Sequence, residues 1–466
     1  MNRRKFRLAL RCLFTGSVIA FHLGCAPEFK HDISELPAVE PTQADTADDL
    51  AAAAYRQRSS MSQDLATPDD WPQLFGPNRT SSVDGDGLDL TWGEQGPKEV
   101  WSIEIGSGYG SPVVAGDRVV FNHRVDDDEV IQCVAADSGE TIWKHRYPTT
   151  FVCDYEYSSG PLSTPLIDGR RVYAAGGQGQ FFCLDVSSGE VIWSRDFRAD
   201  YDLQDDLFAM GSTPVLVGNK LIFNVGAREH DAGVIALDSK DGTTLWEATD
   251  HGAGYTSPFA AEIADQPYVF VVTDVGLVSL HPVTGSVDWV IEHRSRAPMS
   301  YNSVSPLVMG DKVMVVTGPG PGAICVQVQS DRSYIDGWKD RRVLDSQYNT
   351  LMLADGKVYG FTAAGQGGAE LRCVDFSTGE LLWKYHSILR RGQGIVIGDA
   401  IVALGERGHL AAIQRTNDDP QVLAFTSEPL MSEPCYCTPA IAGTRLFLKD
   451  ENRVACYDLA AASQDD

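Results

Sequence analysis

Six tyrosines recur in short segments that lead into a strand start: "SGYGSP" carries Tyr109, "EYSSGPLSTP" Tyr157, "GAGYTSP" Tyr255, "PMSYNSVSP" Tyr301, "SQYNTL" Tyr348 and "PCYCTP" Tyr436. "AMGSTP" and "LRRGQG" complete a set of eight, and Asn302, Asn349, Arg390, Arg391 and Gln393 lie within it. Aromatic rings with polar tips beside two guanidinium groups suit a planar anionic ligand or an extended peptide. The same tyrosines and Ser-Pro pairs have a plainer use, packing the tops of turns, and both readings stand at this level.

Other catalytic spacings are missing. There is no Gly-x-Ser-x-Gly elbow, no His-Glu-x-x-His and no phosphate loop, and "GSGYG" (residues 106–110) is too short for a dinucleotide fingerprint. The ten histidines are scattered and read as structural. "DGDGLD" (84–89) resembles a calcium loop, but its third carboxylate falls one position late and Gln95 stands where a closing Glu belongs, so no metal site is assigned. "VDDDEV" (125–130) reads as a solvated hairpin turn and "DYDLQDD" (200–206) as solvated charge leading into a strand.

Of ten cysteines, Cys133, Cys183, Cys325, Cys373 and Cys456 share a slot that Ala or Ser fills elsewhere, which marks a small buried position. Cys435 and Cys437 in "EPCYCTP" face one side of a strand, and a bridge from one of them to Cys153 is open.

The elements that hold these segments repeat. "CVAADSGETIW", "CLDVSSGEVIW", "ALDSKDGTTLW", "SLHPVTGSVDW" and "CVDFSTGELLW" end at Trp143, Trp193, Trp246, Trp289 and Trp383. Each unit offers a strand after Ser/Thr-Pro, a Gly-Asp or Asp-Gly turn, a second strand, a third with small-apolar-Asp, and a Ser/Thr-Gly turn into a strand ending in Trp. Four antiparallel strands per unit make a propeller blade. Third strands at Cys133, Cys183, Ala236, Ser279, Cys325, Cys373, Ala412 and Cys456 count eight blades. Trp-to-Trp steps of 50, 53 and 43 residues (143, 193, 246, 289) fit such units. The last unit lacks its outer strand, and "KEVWSIE" with Trp101 supplies it from the N-terminal end, closing the ring. In this scheme the tryptophans pack against neighbouring blades and the lead-in segments gather at one mouth of the central channel. Units five ("CVQVQSDRSYIDGW") and seven ("AAIQRTNDDPQVLAF") depart from the pattern, which leaves their hairpins less defined.

The fold class is therefore all-β, an eight-bladed propeller over residues 71–466. Before it, residues 1–24 have the basic head and short apolar run of an export signal, and residues 25–70 read as a disordered acidic tether. Arg3-Arg4-Lys5-Phe6 resembles a twin-arginine signal, and Leu23-Gly24-Cys25 resembles a lipobox that would lipidate Cys25, although His22 stands where an aliphatic residue is usual. The formal charge of −26 moves to about −31 without residues 1–24. Such charge argues against nucleic acid and anionic membrane surfaces, leaving the N-terminal lipid as the membrane contact.

The units at 183–193 and 236–246 are similar to the repeats of pyrroloquinoline-quinone-type (PQQ-type) propellers, which include quinoprotein alcohol dehydrogenases and the lipoprotein of the outer-membrane β-barrel assembly machinery. "WPQLFGPNRT" (71–80) resembles the opening motif of exported PQQ-like propellers of planctomycete bacteria. Two functions follow from the resemblance. One is an exported, tethered scaffold on the periplasmic side of a bacterial membrane that binds an envelope protein or peptide partner and has no chemistry of its own, with assembly work as one form. The other is an alcohol or sugar dehydrogenase using PQQ and calcium at the channel mouth. The dehydrogenases resemble one another in an adjacent Cys-Cys pair that this chain lacks, and their Asp base and calcium ligands map onto no position here, so the scaffold is favoured.

Overall fold

The computed structural model describes residues 70–155, 157–205, 208–297, 300–362, 368–416 and 420–461. The export signal, Cys25 and all of the tether except Asp70 lie outside them. Eight antiparallel sheets follow one another along the chain. Seven span residues 113–148, 166–196, 215–248, 259–292, 307–340, 352–386 and 392–425. The eighth combines Ala440–Ala442, Arg445–Lys449 and Arg453–Asp458 with strand Lys98–Glu104, so the ring closes as the sequence implied. The described α-helix, Phe197–Tyr201, is one turn long, and no described helix is long and apolar enough to cross a membrane.

The core lies between the blades, not in a central mass. Val120, Cys133 and Trp143 of the first blade pack on Val172, Ala174 and Leu184 of the second, and comparable clusters fill the later wedges. Middle strands are covered on both faces and therefore read as continuous apolar runs, as in "KVMVVT". Outer strands are mostly exposed, and Val191–Asp196 buries only Trp193.

The repeated hairpin shows why its residue types recur. Cys133, Cys183, Ala236, Ser279 and Cys373 stand directly opposite Trp143, Trp193, Trp246, Trp289 and Trp383, and Cys456 opposite Trp101. A bulge follows each pair and turns the indole toward the next blade. There the ring N–H donates to a backbone carbonyl: Trp101 to Ala136, Trp143 to Val186, Trp193 to Ser239, Trp246 to Pro282, Trp289 to Arg332 and Trp383 to Thr416, at 2.8–3.2 Å. The Asp185 carboxylate accepts from the N–H groups of Ser187 and Ser188 and fixes the turn. Gly189 then has φ 72°, and a Cβ there would sit 2.6 Å from the Trp143 ring, so glycine is required twice over.

The two irregular units resolve differently. In the fifth blade Trp338 faces Cys325 and donates to Phe376, making a regular hairpin. In the seventh, Ala424 occupies the tryptophan position opposite Ala412. That sheet gains instead a fifth, parallel strand, Ser82–Val83, against Gly392–Ile397.

Residues 71–83 cross one end of the channel. Trp71 pairs with Val114 of the first blade, and the Pro72 carbonyl accepts from Ile167 of the second. The Thr80 and Ser81 carbonyls accept from Leu353 and Val396 of the sixth and seventh. Buried Arg79 donates to the Pro214 and Pro258 carbonyls at the starts of the third and fourth. The motif "WPQLFGPNRT" together with Ser81 is thus a strap that ties six blades across the axis.

Two titratable side chains are enclosed by the blades. Glu129 does not lie in a solvated turn: only Asp126 and Asp127 do, while Glu129 is fully buried, accepting from the Tyr147 hydroxyl and the Gly177 N–H, and burial raises its carboxyl. His123 accepts from the Gly106 N–H at 2.9 Å and meets the Gln132 amide oxygen at 3.0 Å, which sets a neutral tautomer. Burial, reinforced by Lys449, depresses its imidazole to about 4.

Two outcomes follow. Trp246→Ala opens a wedge between blades and is expected to lower stability by about 3–5 kcal/mol, read from the denaturant midpoint. Because the folded His123 resists protonation, the unfolded chain binds more protons between its ordinary value near 6.5 and about 4, so stability falls as pH drops through that window. His123→Gln should remove that part of the slope; an unchanged difference between pH 7 and pH 4 would remove the assignment.

Candidate functional site

The lead-in segments meet at the open end of the channel, opposite the strap. They enclose a well of about 360 Å³ floored by Leu74 and Phe75 of the strap. Tyr109, Tyr157, Tyr255, Tyr301, Tyr348 and Tyr436 all line it, with Asn349 and Gln393.

A belt of hydroxyls sets the lower wall. The Thr438 N–H donates to the Ser111 hydroxyl, Ser111 N–H to Thr164, Thr164 to Thr213, Thr213 to Ser257 and Ser257 to Ser305, at 2.8–3.0 Å. Six blades are joined in this way, which explains the recurring Ser/Thr before the inner strand. In the seventh blade Gln393 takes that place: its amide oxygen accepts from the Thr350 N–H and its amide nitrogen donates to the Tyr348 carbonyl. Thr350 and Thr438 bond hydroxyl to hydroxyl.

The tyrosines sit one pleat above. Tyr109, Tyr255, Tyr348 and Tyr436 each precede a belt residue by two positions, so both side chains face the axis. Tyr436 is the hub, with its ring centroid 5.1 Å from Tyr109 and from Tyr348 and 6.1 Å from Tyr157. Tyr255 and Tyr301 form an edge-on pair at 5.2 Å. Phe208 bridges the two groups, 5.2 Å from Tyr157 and 5.6 and 5.8 Å from Tyr255 and Tyr301. Burial pushes the Tyr436 phenol up to about 12 and raises Tyr109 and Tyr157, so these are neutral donors at ordinary pH. Close backbone approach delivers the first of them: a Cβ on Gly106 would lie 1.6 Å from the Arg124 carbonyl, and only glycine lets "GSGYG" cross there.

Three sequence candidates do other work. Asn302 is buried outside the well, donating to the Thr273 and His293 carbonyls and accepting from the Thr317 hydroxyl. Arg390 and Arg391 do not present free cations to a ligand. Both bind Glu406, at 3.1 and 2.7 Å, and Arg391 also lies over the Tyr348 ring at 4.8 Å and donates to its hydroxyl. Glu406 is 4% exposed, and its charge is spent on these two groups. The sequence gives no sign of this pairing, because Glu406 arrives from the far end of the next hairpin. Phe208 was legible in principle, as an aromatic residue in "LFAMGSTP", one of the two lead-ins without tyrosine.

The eight described cysteines are buried and form no disulfide. Cys153, Cys435 and Cys437 form no bridge: Cys153 packs with Phe151 and Ala209, whereas Cys435 belongs to the cluster around the eighth blade. The 84–89 loop is capped by its own hydrogen bonds, Asp89 accepting from Thr91, and among the described residues no three His, Cys, Asp or Glu side chains gather as a metal site.

Among the described residues, the donor set of the well is hydroxyl, phenol, amide and hydrocarbon, with no carboxylate, imidazole or cation in the lining. Calcium requires carboxylate or clustered carbonyl oxygens, and an anionic quinone requires cationic partners. The lining does not fit that pair.

Residues 126–385, more than half of the chain, match the family described as outer membrane protein assembly factor BamB. The Burkholderia pseudomallei protein of that name is 23% identical over 52% of this chain and 60% of its own length. A quinoprotein ethanol dehydrogenase of Pseudomonas aeruginosa is 27% identical over 23% of this chain and 17% of its own. The chain thus spans less than two thirds of these relatives. Among solved structures, BamB from Moraxella catarrhalis superposes with TM-score 0.56 at 16% identity, over 78% of this chain and 98% of that one. The quinohemoprotein alcohol dehydrogenase of Comamonas testosteroni gives 0.58 at 13%, over 89% and 84%. At such identity the superpositions speak for the fold. The family match, the eight closed blades and the tryptophan hairpins together make this chain a member of the BamB-type family of PQQ-like β-propellers.

Proposed function

We propose that this propeller is a non-catalytic binding scaffold of the cell envelope that engages a protein or peptide partner at the tyrosine well. The carrying observation is the chemistry of the well: its walls are neutral, and the two nearest lead-in cations are bound to Glu406. Alcohol oxidation needs a group that takes a proton within reach of the substrate, and among the described residues the ionisable groups lining this cavity are phenols, that of Tyr436 pushed up to about 12. The strap supports the same reading, since it turns the channel into a blind well. The matched assembly factors lend a context, the envelope, in which a recognition surface without chemistry is useful. In this reading Cys25 carries the lipid that holds the chain at the membrane.

Two experiments test the proposal. The purified protein is titrated with pyrroloquinoline quinone and calcium, followed by absorbance, with dye reduction on alcohols and sugars. No stoichiometric binding and no turnover are expected; tight binding with turnover would establish the dehydrogenase instead. In cells, Cys25→Ala is expected to move the protein from the membrane to the soluble fraction, and an unchanged distribution would remove the lipid anchor.

A further inference from the structure

A second cavity of about 630 Å³ lies beside the well, over the mouth of the second to fourth blades. Phe208, Gly211, Tyr255 and Tyr301 line both, so the two share a wall. Their chemistries differ. In the cleft Arg198 pairs with Asp205 and Arg228 with Asp274, each at 2.5 Å, and these charges cancel. Asp202 and Glu229 also line it, are exposed, and have no cationic partner among the described residues. The cleft therefore carries net negative charge beside a neutral aromatic well.

Both cavities hold an unanswered polar group. Ser212, 1% exposed, lines the cleft with a hydroxyl that has no hydrogen-bond partner among the described residues. Asn349, 3% exposed, lines the well with its amide nitrogen bonded to the Gly392 carbonyl and its amide oxygen bonded to nothing. Buried polar atoms without partners are uncommon and mark places where a ligand or water completes the bonding.

We infer that the well and the cleft form one bipartite site for an extended, basic polypeptide segment, an aromatic or aliphatic side chain entering the well and a neighbouring Lys or Arg lying in the cleft. The inference rests on the scaffold reading and names its partner class. The hydrocarbon floor of Leu74, Phe75 and Leu162 takes the anchor. The shared wall of Tyr255, Tyr301 and Phe208 offers ring faces to a passing cation, and Asp202 and Glu229 answer its charge. The formal charge of −26 over the whole chain draws a basic segment toward the surface and repels an acidic one.

Fluorescein-labelled synthetic peptides test it on the full protein by anisotropy: one with a tryptophan between two lysines, one with the lysines replaced by glutamates, and one with the tryptophan replaced by serine. The lysine–tryptophan peptide is expected to bind best, with affinity falling as salt rises. Leu162→Trp fills the well and should weaken it about tenfold or more. The pair Asp202→Asn and Glu229→Gln leaves the well intact and should weaken it about threefold while flattening the salt dependence. Equal binding of the glutamate peptide, or binding that neither variant changes, overturns the inference. Loss of all peptide binding with no quinone turnover removes this partner class and leaves the scaffold reading standing; stoichiometric quinone binding removes both.

Discussion

The indole that each blade lends to the next is the contact on which this molecule depends. A four-stranded sheet of this kind buries little on its own; its second face is covered only when the neighbouring wedge is in place. One tryptophan per hairpin performs three tasks there: it fills the gap, donates to a carbonyl that would otherwise be buried unpaired, and lies flat on a glycine of the adjacent turn. The glycine is bound to this arrangement from the other side, because any side chain at Gly189 or Gly285 would strike the ring. Where the device is missing, at Ala424, the N-terminal segment compensates by adding Ser82–Val83 to the inner edge of that blade. The outer and inner ends of the seventh blade are thus stabilised by different means.

Seen from the axis, a second system does comparable work. The hydroxyl belt links the starts of neighbouring inner strands, and the Arg79 strap spans them. Rigid walls and a closed floor are what allow a cluster of tyrosines to remain a cavity without collapsing onto itself. The same rigidity bears on chemistry. The side chains facing the axis are those that satisfy the belt and the pleat above it, and the cations of the seventh lead-in are held in a pair with Glu406.

Much of the architecture was legible because it is local. Asp, Gly and Trp at fixed offsets define a hairpin within a dozen residues, and eight repeats leave little freedom in how hairpins stack. The convergence of six tyrosines was legible too, since all six stand in segments that lead into an inner strand, and four of them precede the belt residue by two positions. What escaped was long-range pairing. Nothing near Arg390 or Arg391 announces Glu406, nothing in "DDDEV" shows that Glu129 turns inward to the Tyr147 hydroxyl, and nothing around Asn302 reveals that it serves the backbone. Charged and amide side chains take their roles from partners that only the closed ring supplies.

Closure has its own kinetic meaning. Strand Lys98–Glu104 precedes nearly every blade, yet its partner Arg453–Asp458 is the last described strand; Tyr457 and Glu99 are 358 residues apart. During synthesis the first outer strand must wait, edge unpaired, until strand Arg453–Asp458 emerges, and joining ends so distant is entropically slow. The first and last wedges therefore seal together as a late, single event. Until then the chain is an open arc with two adhesive edges, the state in which it is most exposed to aggregation and in greatest need of protection by a chaperone.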